Sequence, residues 1–406
     1  MKIAIIGAGA AGCFTAANIP YREENEVVVF EKTGKAMQKV KVSGGGRCNV
    51  THACFDLQEL AEKYPRGKQL LRKTFHRFSP ADTISWFEKR GVKLKTEADG
   101  RMFPLTDDSQ TIIDCIWKAM MQQKVQVRFH KSLTRIEPQE QSFVLHFADK
   151  TTYSADKVLI STGGFPKKEQ YDWIEQLPQA IETPVPSLFT FNIPKHPVTE
   201  LMGLSAEVTV KIQGTKFKEQ GPLLITHWGF SGPVVLRCSA WAARALHEKD
   251  YQFGISINWL KELSDADLKE QISFLRREEG RQLLQHKNPF GLARRLWEYL
   301  LERSSIPDGT RWGDLPAAQQ NKLIENLLRD TYDVKGKTTF KEEFVTCGGV
   351  ALKDLDPQTM ESRRHPGLYF AGEVTDADGI TGGFNFQNAW TGAWIAAQSI
   401  TNIVEP

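Results

Sequence analysis

The chain has 406 residues, more than one ordinary core holds, so two or three domains are expected. With 41% apolar and 25% charged residues, the composition is globular and sets aside disorder, collagen and coiled coil. A formal charge of +3 gives no case for nucleic acid, which calls for a concentrated basic footprint. A small-molecule substrate is expected instead. The local cluster Lys35, Lys39, Lys41 and Arg47 reads either as a solvated face or as a positive field around a bound phosphate.

The cysteines, Cys13, Cys48, Cys54, Cys115, Cys238 and Cys347, form no C-x-x-C pair and no zinc spacing. No metal site is expected, and scattered thiols suit a cytoplasmic protein. The apolar start has its glycines where a nucleotide loop needs them, so no signal peptide is expected. No uncharged run reaches the roughly 18 residues of a membrane span. The sequence does not indicate an oligomeric state.

In chain order, residues 2–6 (Lys-Ile-Ala-Ile-Ile) read as a buried strand. A glycine turn and a small-residue helix to about Asn18 follow, and residues 27–31 give the next strand, completing a βαβ unit. A glycine-rich loop spans Ser43 to Asn49. Helical patterns occupy about 56–75, 80–90 and 109–122, the second opened by Ser79-Pro80. Alternation at 125–130, 133–137, 143–147 and 151–153 reads as a small antiparallel meander, and 157–161 as a further buried strand. Five prolines over 178–203 break regular structure and mark a boundary. Strands then fit 206–212, 222–227 and 251–257, with a helix at about 232–247. Three charged helices fit 263–278, 289–303 and 314–329. The strand at 367–371 and a helix from about 386 to 403 close the chain.

The first chemical motif is Gly7-x-Gly9-x-x-Gly12, with Ala10 and Ala11 opening the helix. Gly7 allows the tight turn, Gly9 the approach of a pyrophosphate, and Gly12 the packing of helix on strand. The helix N-terminus offers free N–H groups to phosphate. Glu31, followed by Lys32, ends the second strand, 19 positions beyond Gly12. A carboxylate there accepts ribose hydroxyls and repels a 2′-phosphate, so FAD or NAD is favoured over NADP. The second motif is Ser43-Gly44-Gly45-Gly46-Arg47-Cys48-Asn49. Three consecutive glycines cost backbone entropy and suit a close approach to ligand. Arg47 is placed to pair with pyrophosphate and Asn49 to meet the flavin or ribityl chain. Cys48 reads either as a redox partner of the flavin or as a small packed side chain. The third is Ser161-Thr162-Gly163-Gly164, directly after an apolar strand, a turn returning to the same crevice. The fourth, at 367–394, holds Gly372 and Glu373 for the ribityl chain, Asp376 and Asp378 as loop-fixing groups or ribityl contacts, then Gly382, Gly383, Phe384 and Asn385 where the last helix opens toward the flavin edge. Contacts from both chain ends favour FAD over NAD as the resident cofactor.

These motifs carry a resemblance. GAGAAG at 7–12, KVSGGGRCNVTH at 41–52, THWGFSGP at 226–233, TCGGV at 346–350 and LYFAGEVTDADGITGGFNFQNAWTGA at 368–393 span nearly the full length. The chain resembles the BaiN/RdsA-like NAD(P)/FAD-dependent oxidoreductases. Phe384 stands where such proteins commonly have tyrosine, and Val374-Thr375 where a leucine is expected before Asp376. The resemblance implies an α/β fold: a Rossmann-like FAD-binding domain with a central parallel sheet, at 1–190 and 340–406. It is interrupted by a β-rich subdomain (191–260) and a helical one (261–339). It implies a flavin reduced by NAD(P)H as transient donor, passing hydride to an organic acceptor such as a conjugated enone or ketone. No second G-x-G-x-x-G lies between 100 and 340, so the pyridine nucleotide would have no Rossmann domain of its own. A flavin-bound redox sensor or structural flavoprotein is the alternative, and a flavoprotein acting on RNA is a third reading, against which the near-neutral charge argues. Reducing C=C or C=O needs a proton donor, and His227 is the candidate, set against a structural histidine. His52, near the flavin loop, is a further candidate.

Overall fold

The computed structural model describes residues 1–175, 177, 179–261, 263–338 and 345–401. The chain divides into two units, Met1–Ser187 with Phe340–Pro406, and Leu188–Thr339. No helix among the described residues is long and apolar enough to cross a membrane.

The first unit is built on β1 (Lys2–Ile6), α1 (Ala10–Asn18), β2 (Glu26–Phe30), β3 (Gln126–Arg128) and β4 (Lys157–Ile160). With the strand Leu368–Phe370 they form a parallel sheet in the order Leu368–Phe370, β4, β1, β2, β3. Beyond their charged first residues the inner strands are buried, which is why they read as apolar runs. Small residues let α1 lie close to the C-terminal helix Phe384–Ile400. Thr15 Oγ1 donates to the Ala393 carbonyl at 3.1 Å, and the rings of Phe14 and Trp390 sit 5.0 Å apart.

Three local expectations are corrected. Residues 126–128 leave the meander to become the parallel edge strand, and the antiparallel piece is Leu133–Pro138, Phe143–Phe147 and Thr152–Ala155. The proline-marked stretch contains a strand, Ile181–Ser187, paired antiparallel with Val345–Val350; a register shift between Glu182 and Val185 absorbs Pro184. The helix over 56–75 splits at Gly67, whose φ is +87° and whose added Cβ would lie 2.7 Å from the Ala377 methyl.

The second unit contains β5 (Ser205–Ile212), β6 (Lys218–Thr226), β7 (Gly229–Ser231), α2 (Pro233–His247), β8 (Gln252–Asn258), α3 (Asp265–Glu278), α4 (Arg294–Arg303), α5 (Ala317–Leu328) and β9 (Asp330–Lys335). Its sheet runs β9, β8, β5, β6, β7, then Thr190–Asn192 and Lys337–Thr338, antiparallel throughout. The helices over 261–339 do not form a subdomain apart. Each has a single apolar stripe, and Leu268, Ile272, Leu296, Leu300, Leu323 and Leu327 join Val208, Val210, Ile255 and Ile257 in one core. Asp330 ties helix to sheet: its carboxylate accepts from Arg303 Nε at 2.8 Å and Trp259 Nε1 at 3.0 Å.

Candidate functional site

The β1–α1 turn is shaped by close backbone approach. Gly7 has φ +102°, and an added Cβ would sit 2.7 Å from the Ser161 carbonyl oxygen. At Gly12 a Cβ would lie 2.0 Å from the Gly7 carbonyl oxygen and 2.6 Å from Ser161 Oγ. Ser161, at the end of β4, donates its hydroxyl to the carbonyls of Ile6 and Gly7 at 3.0 and 3.1 Å. Gly9 caps α1 without a side chain, leaving the N–H groups around Ala10 and Ala11 for an anion. Glu31 is held at the end of β2: one oxygen accepts from Ala8 N at 3.0 Å, the other from Thr33 N and Oγ1 at 2.8 Å each. The oxygen that accepts only from Ala8 N still has lone-pair capacity for a ribose hydroxyl. Lys32 Nζ lies 5.6 Å from the centre of the Phe165 ring.

In the second motif Ser43 leaves helical geometry with ψ 149°, and Gly44, Gly45 and Gly46 take φ of +58°, +69° and +83°. Gly44 is hemmed in by Phe103, but a Cβ on Gly45 or Gly46 would meet nothing within 4 Å. Arg47 does not wait free for pyrophosphate. Its Nη1 reaches Glu97 at 2.7 Å and Asp107 at 3.5 Å, and the guanidinium stacks 4.0 Å from the centre of Phe103. Cys48 is buried with φ +60°, and burial pushes its thiol up to about 12, which removes the thiolate that redox chemistry needs. Asn49 is a connector: its amide donates to the carbonyls of Thr51 and Met102 at 3.0 and 3.3 Å, and its oxygen accepts from Gly383 N at 3.0 Å.

The third and fourth motifs meet. After Thr162, Gly163 has φ +75° and open space around it. A Cβ on Gly164 would fall 2.4 Å from Thr346 Oγ1 and 2.9 Å from Glu373 Oε1. Glu373 accepts from Thr346 N at 2.9 Å and pairs with Lys39 at 2.8 Å. Thr346 Oγ1 is buried with no hydrogen-bond partner among the described residues. Gly372 brings its backbone within 3.1 Å, measured from its would-be Cβ, of the Ala11 methyl on α1. Gly382 and Gly383, at φ +129° and +92°, lead into the C-terminal helix, again with no side-chain cap. Tyr64 OH donates to the Phe384 carbonyl at 2.7 Å, and Asn385 exchanges two bonds with Gly379, so both residues fix the loop. Asp378 is turned away from a ligand role: its buried carboxylate accepts from Arg66 and from Ser187 Oγ at 2.8 Å.

His52 packs beside this loop. Its Nδ1 lies 3.1 Å from the Gly382 carbonyl, which makes Nδ1 the protonated nitrogen, and its ring lies 4.6 Å from that of Phe384. Burial holds its pKa below the usual histidine value. His227 belongs to the second unit, exposed on the turn between β6 and β7, edge-on to Trp228 at 4.4 Å.

The residues suit FAD. Open positive-φ glycines at 45, 46 and 163 leave room that a Cβ would fill. Two helix N-termini lack side-chain caps, and the Thr346 hydroxyl is left unsatisfied. Sequence reasoning gave no role to Thr346, Tyr64 and Arg66, whose surroundings come from residues far along the chain. Ser161 was legible as the residue directly after an apolar strand.

The HI0933-like protein Rossmann domain profile matches residues 1–399. The chain belongs to that family. The HI0933-like family comprises FAD-binding Rossmann oxidoreductases. Within it, the chain is 31% identical to a ribosomal RNA dihydrouridine synthase of Escherichia coli (strain K12), over 98% of this chain and 97% of the relative. It is 25% identical to a 3-dehydro-bile acid delta(4,6)-reductase of Clostridium scindens, over 98% of each. Among solved structures, a 3-ketosteroid-delta4-(5alpha)-dehydrogenase from Rhodococcus jostii RHA1 matches with TM-score 0.50 and 12% identity, covering 98% of this chain and 97% of that one. An open flavocytochrome c3 fumarate reductase matches with TM-score 0.50 and 16% identity, covering 99% and 78%. At such identities these two establish the likeness of fold.

Proposed function

We propose that the chain is an FAD-dependent reductase, fed by NAD(P)H, that saturates a carbon–carbon double bond conjugated to a carbonyl, and that its acceptor is uracil in ribosomal RNA. One observation carries the reading. Relatives that align over 98% of the chain, a ribosomal RNA dihydrouridine synthase and a bile acid reductase among them, bear names of such a reduction. Dihydrouridine is uridine with its C5=C6 bond saturated beside a carbonyl, and a delta(4,6) bile acid with a 3-oxo group is a conjugated dienone. The higher identity favours the RNA acceptor over the steroid. The charge balance had set RNA aside, but a local contact patch is enough to hold a strand.

Bound FAD supplies the hydride chemistry. The chain's own residues bind and orient it. The uncapped start of α1 offers N–H groups to phosphate, and the uncapped start of the C-terminal helix offers them to negative charge. Glu31 and Glu373 are fixed acceptors for hydroxyl groups. His52 keeps its Nδ1 proton on Gly382, while Nε2 has no hydrogen-bond partner among the described residues and can hold or pass a proton. His227 is the corresponding candidate in the second unit.

The test is a half-reaction followed by turnover. NADH or NADPH, added without oxygen, bleaches the flavin band near about 450 nm. Ribosomal RNA lacking the modification then regains colour in the sample and gains two hydrogens at uridine by mass spectrometry. A reduced protein that converts a simple enone but no uridine overturns the RNA acceptor. A flavin that neither nucleotide bleaches overturns the donor.

A further inference from the structure

We propose that the outer face of the second unit's sheet, around Lys211 and Lys218, binds a phosphate of single-stranded RNA; this rests on the RNA acceptor proposed above. Along β5, Val208, Val210 and Ile212 enter the core, so alternation puts Thr209 and Lys211 on the opposite face. The register sets their neighbours. Lys211 lies between Lys218 of β6 and Ser256 of β8, and Thr209 between Gln220 and Asn258. Six side chains therefore form two adjacent rows, and every one of them can donate a hydrogen bond.

Two features of this patch lack an internal explanation. Directly opposed like charges destabilise a strand pair, yet Lys211 and Lys218 are exposed and have no ion-pair partner among the described residues. Thr209, in the next row, is only 4% exposed, and its hydroxyl has no hydrogen-bond partner among the described residues. An oxyanion on the face resolves both, neutralising the two ammonium groups and accepting from the hydroxyl. The acids of this face, Glu207 and Asp333, fall on the rows beyond, opposite Pro222 and Gly254. A free phosphate-bearing molecule such as NADPH has the same chemistry, and the experiment separates the two.

The FAD-loaded full chain is titrated into a labelled single-stranded RNA by fluorescence anisotropy at several salt concentrations. The variants are Lys211→Gln/Lys218→Gln and Thr209→Val. The double variant is expected to bind roughly tenfold more weakly, with the slope of log affinity against log salt reduced by about 1 to 2. Thr209→Val loses a few-fold in affinity with the slope unchanged. Enone reduction and the KM for NADPH stay at wild-type values in both. Equal affinity and slope in the double variant overturn the proposal, as does a raised KM for NADPH with RNA binding intact. If the wild type binds RNA through these lysines but never modifies it, the patch stands and the proposed acceptor falls.

Discussion

Arg66 and Asp378, 312 positions apart, form an ion pair whose aspartate side chain is fully buried and whose arginine is 10% exposed. Arg66 Nε donates at 2.6 Å, and Ser187 Oγ adds a third bond to the same carboxylate at 2.8 Å. The pair clamps the loop before the C-terminal helix to the segment before Gly67. Removing one partner strands a buried charge. Arg66→Met is therefore expected to destabilise the protein by about 3–5 kcal/mol in urea unfolding. Arg66→Met combined with Asp378→Asn is expected to recover most of that loss. A double variant as unstable as the single one would show that burial of the charge is not the cause.

Gly45 and Gly91 separate backbone strain from ligand approach. Both have positive φ, +69° and +83°, and at both an added Cβ meets nothing within 4 Å. Alanine at either position costs about 1 kcal/mol of stability through the left-handed backbone. Only Gly45 lies in the motif read as a cofactor cradle. Gly45→Ala is expected to weaken FAD binding at least tenfold in a fluorescence titration of the apoprotein, and Gly91→Ala to leave it unchanged. Equal affinities would remove the 43–49 loop from the cofactor site.

How much of this was legible follows from the range of each interaction. The β1–α1–β2 unit, its glycines and Glu31 are contiguous in sequence, and their apolar runs and turn residues state the structure locally. The partners of Arg47 are not local: Glu97 and Asp107 lie 50 and 60 positions away, and nothing in the loop's own residues distinguishes a pyrophosphate-binding arginine from one held by distant acids. The Asp378 carboxylate read equally as a loop-fixing group or a ribityl contact, and only its distant partners Arg66 and Ser187 show it fixing the loop. The strand Ile181–Ser187 was hidden by Pro184 and Pro186, which a bulged pairing accommodates. The three helices of the second unit showed their amphipathic stripes but not what those stripes pack against.

His52 carries a pH prediction. Burial lowers its folded-state pKa below the unfolded value of about 6.5. Above that value both states are neutral and the histidine contributes no pH dependence. As pH falls below it, the unfolded chain takes up the proton first, so stability drops until the folded pKa is passed. The Nδ1–H bond to Gly382 exists in the neutral and charged forms alike. His52→Gln is expected to flatten the fall in melting temperature between neutral pH and about pH 5 relative to wild type. Parallel curves would mean that His52 titrates with the same pKa in both states.

Thr346 tests the cofactor reading with a single hydroxyl. Its Oγ1 is buried and has no partner among the described residues, close to Gly164 and to the Glu373 carboxylate. A buried hydroxyl without a partner is a cost that valine removes at the same shape. Thr346→Val is therefore expected to leave the apoprotein as stable as wild type or slightly more so. If the hydroxyl instead donates to a bound group, its loss weakens FAD by roughly fivefold, the equivalent of about 1 kcal/mol. Melting curves of the apoprotein and FAD titrations of both forms read the two effects separately. Opposite signs assign the hydroxyl to the cofactor. A destabilised apoprotein with unchanged FAD affinity would assign it to the fold.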